Sequence, residues 1–197
     1  MESLSRSHPL VWIDCEMTGL DLDTDVIIEI FCLITNGNLD LLDEQGWGAV
    51  IHQPKEMMDN MDEWCTKTHG ESGLTAAVLA SKTTDVEAAD ALFAYIKQYV
   101  PEPKRALLAG NSVHADKAFL KKAPYTKVHD HFSYRILDVS TIKEAAKRWS
   151  SLDVLIGVPK KKLLHQARED ILESIAEARY YKDAIFQRST DGKLKEA

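Results

Sequence analysis

Asp14 and Glu16 stand one residue apart at the end of an apolar run, Leu10-Val11-Trp12-Ile13, and Gly19 follows them as a turn signal. Side chains alternate along a strand, so both carboxylates project from one face and can reach the same cation. Acids at the end of a buried strand are costly without a partner, and a metal would supply one. Asp116 falls in the early turns of an expected helix, Asp170 in the expected terminal helix, and His165 lies five residues ahead of Asp170. That offset is not one helical face, which puts His165 in the preceding loop or first turn, approaching from the side. Oxygen ligands without cysteine suit Mg²⁺ or Mn²⁺ better than structural zinc. Two such ions about 3.5 to 4 Å apart would activate a water and stabilise the leaving oxygen of an in-line phosphodiester displacement. A histidine beside that water would be the general base, because its ordinary pKa of about 6.5 lets it take a proton near neutrality. Taken singly, each residue has an ordinary explanation. Asp-x-Glu is common where a strand runs into solvent, Asp116 could complement a helix dipole, Asp170 could be one charge on a solvated face, and His165 a surface or core histidine.

The elements that must hold these residues show as changes of hydrophobic period. Residues 10–13 read as a buried strand, 26–35 (VIIEIFCLIT) as a central one and 47–52 (WGAVIH) as a third, with Asn36-Gly37-Asn38 a hairpin signal, so the three form a meander closed by short turns. Met57, Met61, Trp64 and Cys65 then recur at helical spacing, with Gly70 expected just past the helix end. A second helix spans about 84–99 on a stripe of Val86, Ala89, Leu92, Phe93 and Ile96, stopped by Pro101. Residues 105–110 form a short buried strand that leads through Asn111-Ser112 into a helix over 114–122. Residues 134–139 form the last strand, and Ser140 or Thr141 caps a helix carrying Ile142, Ala145, Ala146 and Trp149. Residues 150–159 read as a loop. From about 164 to 187 the pattern is helical, with Ile171, Ile175, Ala178 and Ile185 inward and Arg168, Glu173, Glu177 and Lys182 outward.

A chain of 197 residues, 45% hydrophobic and 28% charged, is expected to be a single α/β domain over 8–188 with flexible tails at 1–7 and 189–197. It has 31 acids against 24 Lys and Arg, a net charge of -7, which argues against holding long nucleic acid by phosphate neutralisation. A nucleic-acid partner should be short or locally gripped. Cys15, Cys32 and Cys65 show no metal or redox spacing, two of them sit in apolar runs, and a reducing intracellular compartment is expected, cytoplasmic or mitochondrial. No stretch approaches the roughly 18 to 20 apolar residues that span a bilayer, so no membrane association is expected. The polar start lacks both a signal-peptide core and an Arg-rich transit pattern.

The ordered set Asp14-x-Glu16, Asp116, His165 and Asp170 resembles that of the DEDDh 3′-to-5′ exonucleases. Longer blocks narrow the likeness to the oligoribonucleases over close to the whole chain: residues 12–20 (WIDCEMTGL), Gly110-Asn111-Ser112 with Asp116, Tyr134-Arg135, Asp138-Val139-Ser140-Thr141 and Glu173-Ser174-Ile175. The resemblance implies a ribonuclease-H-like exonuclease fold, a mixed five-stranded sheet flanked by helices, which fits the meander and the later strand-helix units. It implies metal-dependent 3′-to-5′ hydrolysis of short oligoribonucleotides, especially dinucleotides, to nucleoside 5′-monophosphates. Asp14, Glu16, Asp116 and Asp170 would hold two divalent cations, Mg²⁺ or Mn²⁺, and His165 would be the base. Leu20 would be the wedge beside the two bases, Trp64 and His69 would contact the nucleotide at the scissile end, and Ser112, Arg135 and Ser140 would cap the 5′ phosphate. Tyr134 would reach across from the other subunit of a homodimer. The residue types suit these roles, since an aromatic face stacks on any base and an Arg fork with hydroxyls suits a terminal phosphate.

One segment departs from the family. Where the family reads His-x-Ala-Leu-Asp-Asp-Ile-Arg, this chain has His165-Gln166-Ala167-Arg168-Glu169-Asp170-Ile171-Leu172, so Arg168 replaces an apolar residue and Leu172 a basic one. Ligand and base positions are kept while their packing changes. Two other readings are therefore carried: a DNA or structured-RNA exonuclease on the same fold, and a nucleotide-binding module with weakened catalysis. Lys160-Lys161-Lys162 reads as a solvated loop that could also assist phosphate approach.

Overall fold

Residues 8–160 and 166–186 are described by the structure, a computed structural model. Its centre is made by the two richest β-forming stretches. β1 (Leu10–Met17) pairs antiparallel with β2 (Ile27–Thr35), and β3 (Trp47–Val50) pairs antiparallel with β2 on its far side. β4 (Leu107–Gly110) and β5 (Ile136–Asp138) run parallel to β1 and complete a mixed five-stranded sheet in the order β3-β2-β1-β4-β5. Antiparallel neighbours need only a turn, whereas parallel ones need a crossover, which is why the chain turns helical after β3.

The meander is as expected, with two differences. β1 continues past Ile13 through both acids, because β2 goes on pairing with it at Asp14↔Phe31 and Glu16↔Glu29. The Asn36 signal closes a local turn, its Oδ1 accepting the N–H groups of Asn38 and Asp40 at 2.8 and 3.1 Å, but the chain runs on to residue 46 before β3 begins. That longer connection buries Leu39, held in the left-handed region at φ 73.

Between β3 and β4 lie α1 (Lys55–Asp59), α2 (Glu63–Glu71), α3 (Leu74–Ala80) and α4 (Asp85–Tyr99). The single helix expected across Met57 to Cys65 is two helices, because the Asp62 carboxylate accepts the Cys65 N–H at 2.7 Å and caps a new start. Gly70 lies inside α2, and the left-handed residue that follows is Gly73 at φ 81. α4 starts with the Thr84–Glu87 capping box, but Val86 is exposed and Ala88 and Tyr95 join the buried stripe instead. After β4 come α5 (His114–Leu120), the unanticipated α6 (Thr126–His131), α7 (Val139–Trp149), α8 (Leu152–Ile156) within the expected loop, and α9 (Ala167–Tyr181), which runs into a wider π-type turn over Lys182–Phe186. Asp138, rather than Ser140 or Thr141, caps α7 by accepting the Ser140 N–H at 2.9 Å. Trp149, at the end of α7, is 82% exposed.

Alternation along β1 divides the core in two. Val11, Ile13 and Cys15 pack with α4 and α5, while Leu10 and Trp12 pack with α7 and α9. α9 lies across β1 and β2, so the face that carries Asp14 and Glu16 is the face it covers. Glu177, expected on the outer side of α9, is 1% exposed. Among the described residues no helix is long and apolar enough to cross a membrane.

Candidate active site

The parallel ladder from β4 reaches β1 only at Leu10, Val11 and Trp12, so the last residues of β1 extend beyond it. Asp116, in the first turn of α5, takes the open place on that edge: its Oδ1 accepts the Cys15 N–H at 2.9 Å. On the neighbouring face Asp14 and Glu16 meet Asp170 from the first turn of α9. Each of the three offers a carboxylate oxygen, all within 4.8 Å of one another. β1 and α9 thus bring together three of the four acids expected from the sequence, and α5 sets the fourth, Asp116, on the edge of β1, near enough for its charge to raise Asp14.

Burial pushes the Asp14 carboxyl well above the usual carboxylate range, and the charges of Asp116, Glu16 and Asp170 push it further. Glu16 is pushed up to about 7, first by burial and then by Glu29, Asp170 and Asp116. Asp116 also rises to about 7 through burial, against the pull of the Cys15 N–H. Such a group stores repulsion that a divalent cation would relieve, and its hard oxygen donors fit Mg²⁺ or Mn²⁺.

Glu29 belongs to this region and escaped the sequence reading. It faces Glu16 across the β1–β2 register, burial raises its carboxyl, and it accepts the backbone N–H of Ala167, where α9 begins. A lone acid within the apolar run 26–35 was the available signal.

His69, from α2, is buried, with Nε2 hydrogen-bonded to the Met17 carbonyl at 3.0 Å and Nδ1 4.0 Å from Glu16 Oε2. Leu20 and Trp64 are 75% and 61% exposed, and with Glu16, Met17 and Cys65 they line a cleft of about 390 Å³. The turn that presents Leu20 is held by Asp25, which accepts the Thr18 hydroxyl at 2.7 Å and the Asp21 N–H at 2.8 Å. A Cβ on Gly19 would stand 2.4 Å from Asp25 Oδ2, so only glycine lets that carboxylate close the turn.

β1, β4 and β5 are parallel and therefore end on one side of the sheet, where Ser112 and Ser140 also lie. The Ser112 N–H donates to Asp138 Oδ1 at 2.9 Å and to Ser140 Oγ at 3.0 Å, and the two hydroxyls are 3.1 Å apart. Arg135 lies over the Tyr134 ring, 4.4 Å from its centroid, and both are exposed. His165, Lys161 and Lys162 lie outside the described residues. Arg168 does not enter the acid cluster: it donates to Glu169 at 3.0 Å and to the Glu44 carbonyl at 3.1 Å, beside β3, while Leu172 packs against the α7–α9 core.

A profile of the RNase T exonuclease family matches residues 11–178. The mitochondrial oligoribonuclease of Mus musculus is 46% identical over 191 residues, covering 97% of this chain and 79% of its own. That of Saccharomyces cerevisiae is 49% identical over 181 residues, covering 89% and 66%, and the oligoribonuclease of Shewanella putrefaciens is 46% identical over 178 residues, covering 90% and 96%. Among solved structures, exonuclease I of Methylocaldum szegediense is similar with a TM-score of 0.61 at 17% identity, covering 91% of this chain and 41% of that one. An E. coli ExoI–ssDNA complex is similar with a TM-score of 0.64 at 14% identity, covering 92% and 42%. At these identities the structural likeness concerns the fold alone, an exonuclease fold of the ribonuclease-H-like kind, and this chain spans about two-fifths of the length of those chains. Close sequence relatives along nearly the whole chain make the narrower assignment: the chain belongs to the oligoribonuclease family of exonucleases.

Proposed function

We propose that this chain is a metal-dependent 3′-to-5′ exoribonuclease that hydrolyses short oligoribonucleotides, dinucleotides above all, to nucleoside 5′-monophosphates. The observation that carries this reading is the convergence of Asp14, Glu16 and Asp170 within 4.8 Å, in a chain whose relatives are oligoribonucleases. Asp14, Glu16, Asp116 and Asp170 would hold two divalent cations, Mg²⁺ or Mn²⁺, which when bound supply water activation and neutralise charge on the leaving oxygen.

The polypeptide's part is to bind, orient and move a proton. His165 takes the proton from the attacking water. His69, fixed by the Met17 carbonyl beside Glu16, and Trp64 hold the nucleotide at the scissile end. Leu20, in the lining of the same cleft, wedges against the bases, an apolar contact that reads no particular base. Arg135, Ser112 and Ser140 receive the 5′ phosphate as charge-assisted and neutral donors. Such a pocket needs few cations, which reconciles a net charge of -7 with an RNA substrate. The exposed Tyr134 ring reaches the site of a second copy in a homodimer, and a fully active monomer in light scattering would remove it from that role. Residues 8–188 act as one domain in a reducing compartment, cytoplasmic or mitochondrial. Three buried free cysteines and the mitochondrial relatives of mouse and yeast support that placement.

The test is turnover with Mg²⁺ on 5′-phosphorylated RNAs of increasing length and on matched duplex DNA. Dinucleotides should be consumed fastest, with mononucleotides as the only product. Equal or faster digestion of duplex DNA would reject the short-RNA reading, and well-folded protein that binds dinucleotides without turnover would leave a binding module.

A further inference from the structure

Asn111 sits in the turn between β4 and α5, and both ends of its amide are occupied. Nδ2 donates to Ser174 Oγ at 2.7 Å and lies 3.5 Å from Glu177 Oε2, both on α9. Oδ1 accepts from Ser140 Oγ at 3.1 Å, at the start of α7. Ser174 passes the connection on, donating to the main-chain carbonyl of Asp170 at 2.8 Å, one turn back along α9. At the other end Ser140 Oγ accepts the Ser112 N–H at 3.0 Å. Ser112 is held at φ 52, a conformation that non-glycine residues rarely adopt without surrounding support. The amide has only one workable orientation. A carboxylate can only accept, so the NH₂ end must face Glu177 and the carbonyl end must face Ser140.

From this chain of bonds we propose that Asn111 is a positioning residue that sets the distance between the Ser112–Ser140 end of the site and Asp170. A nucleotide anchored there by its 5′ phosphate then presents its scissile bond in register with the carboxylates. The inference rests on the exoribonuclease reading above. Asn111 touches neither substrate nor reacting atoms in this scheme. It joins the turn after β4 to α9, adding a directional polar link to the apolar packing of Ala109 against Ile171 and Ile175. The preference for very short substrates becomes a consequence of a fixed separation between anchor and scissors.

The test compares kcat and KM for a 5′-phosphorylated dinucleotide and for the same dinucleotide with a 5′ hydroxyl, with Mg²⁺. It uses wild type, Asn111→Asp and Ser174→Ala. Asn111→Asp keeps the shape and the acceptor toward Ser140, loses the donor to α9 and sets a second carboxylate against Glu177. Ser174→Ala removes the same link from the helix side without disturbing helix propensity, which keeps the test open if the first variant fails to fold. On the phosphorylated substrate each variant should lose roughly 10- to 100-fold in kcat with KM unchanged, as expected when an outer partner orienting a ligand is removed. The 5′-hydroxyl substrate, not tethered at that end, should lose much less, so the preference for a phosphate collapses. Equal losses on both substrates would mark a general structural role and overturn the inference, as would unchanged kcat in folded variants. Wild-type turnover that is indifferent to the phosphate overturns it while leaving the activity intact. Wild type that turns over neither dinucleotide defeats the exoribonuclease reading, and this inference with it.

Discussion

Two groups of polar side chains meet at the carboxyl ends of the parallel strands, and they are built on opposite electrostatic plans. Around β1, the charges of Glu16, Asp116 and Asp170 add to burial in raising Asp14, and those of Asp116 and Asp170 do the same to Glu16. Around β4 and β5, opposite partners meet. Asn111 bonds Ser140 and Ser174, Tyr181 donates to Glu177 at 3.4 Å, and Lys143 lies 3.7 Å from the same carboxylate. The second group is completed by the polypeptide and serves to hold shape. The first gathers like charges, whose repulsion a divalent cation would relieve.

The largest effect expected is on turnover. Asp14→Ala should abolish detectable hydrolysis, a loss of about a thousandfold or more, since about 4 kcal/mol of lost transition-state stabilisation is about three decades in rate. Its melting temperature without metal should not fall, because a repelling acid has been removed. Retained turnover, or a clear loss of stability, would break the contrast between the two groups.

A smaller effect concerns pH. The Glu16 carboxyl rises from an ordinary 4.5 to about 7, so the folded protein keeps a proton that the unfolded chain releases. The corresponding stability is fully present below about pH 4.5 and is lost as pH rises to about 7, at about 1.4 kcal/mol per pKa unit, or roughly 3 kcal/mol in all. Thermal melts in chelator should show this decline, and saturating Mg²⁺ should remove it above pH 7. A melting temperature that is flat with pH in chelator, or that Mg²⁺ leaves unmoved, would contradict the assignment of this cluster as the unbalanced one.

Glu177→Ala probes the satisfied group and should cost about 2 kcal/mol, the price of leaving buried donors without an acceptor. Chemical denaturation should show the same loss with and without Mg²⁺. Rescue of this variant by Mg²⁺ would mean that the two groups are one.

The acids were legible because two independent patterns agreed. The period of a strand put Asp14 and Glu16 on one face, and family blocks tied them to Asp116 and Asp170. The strand lengths and the break between α1 and α2 were less legible: helical spacing carried the eye across Asp62, although an acid three residues ahead of Cys65 was a visible cap. Glu177 was misplaced for a different reason. A helical wheel shows which residues share a face but not which polar groups other elements bring to that face, and Asn111 lies 66 positions away in sequence. Val86 fits an inward stripe by spacing, yet among the described residues it is 52% exposed, and Trp149, one of the apolar residues of its helix, is exposed as well.

What the sequence by itself determined is therefore the inventory: a mixed α/β chain, an Asp-x-Glu on a strand, a Gly19 turn that presents Leu20, and the family to which these belong. Those features follow from backbone periodicity and turn chemistry, which act over a few residues. Tertiary structure alone decided that Asp116 would close the edge of β1 from 101 positions away, that Glu29 would anchor α9, and that Asn111 would span three elements. Distances between charges, and hence the repulsion that a cation would relieve in this cluster, exist only once packing has brought separate elements together, because Coulomb and desolvation energies depend on separation in space and not on separation along the chain.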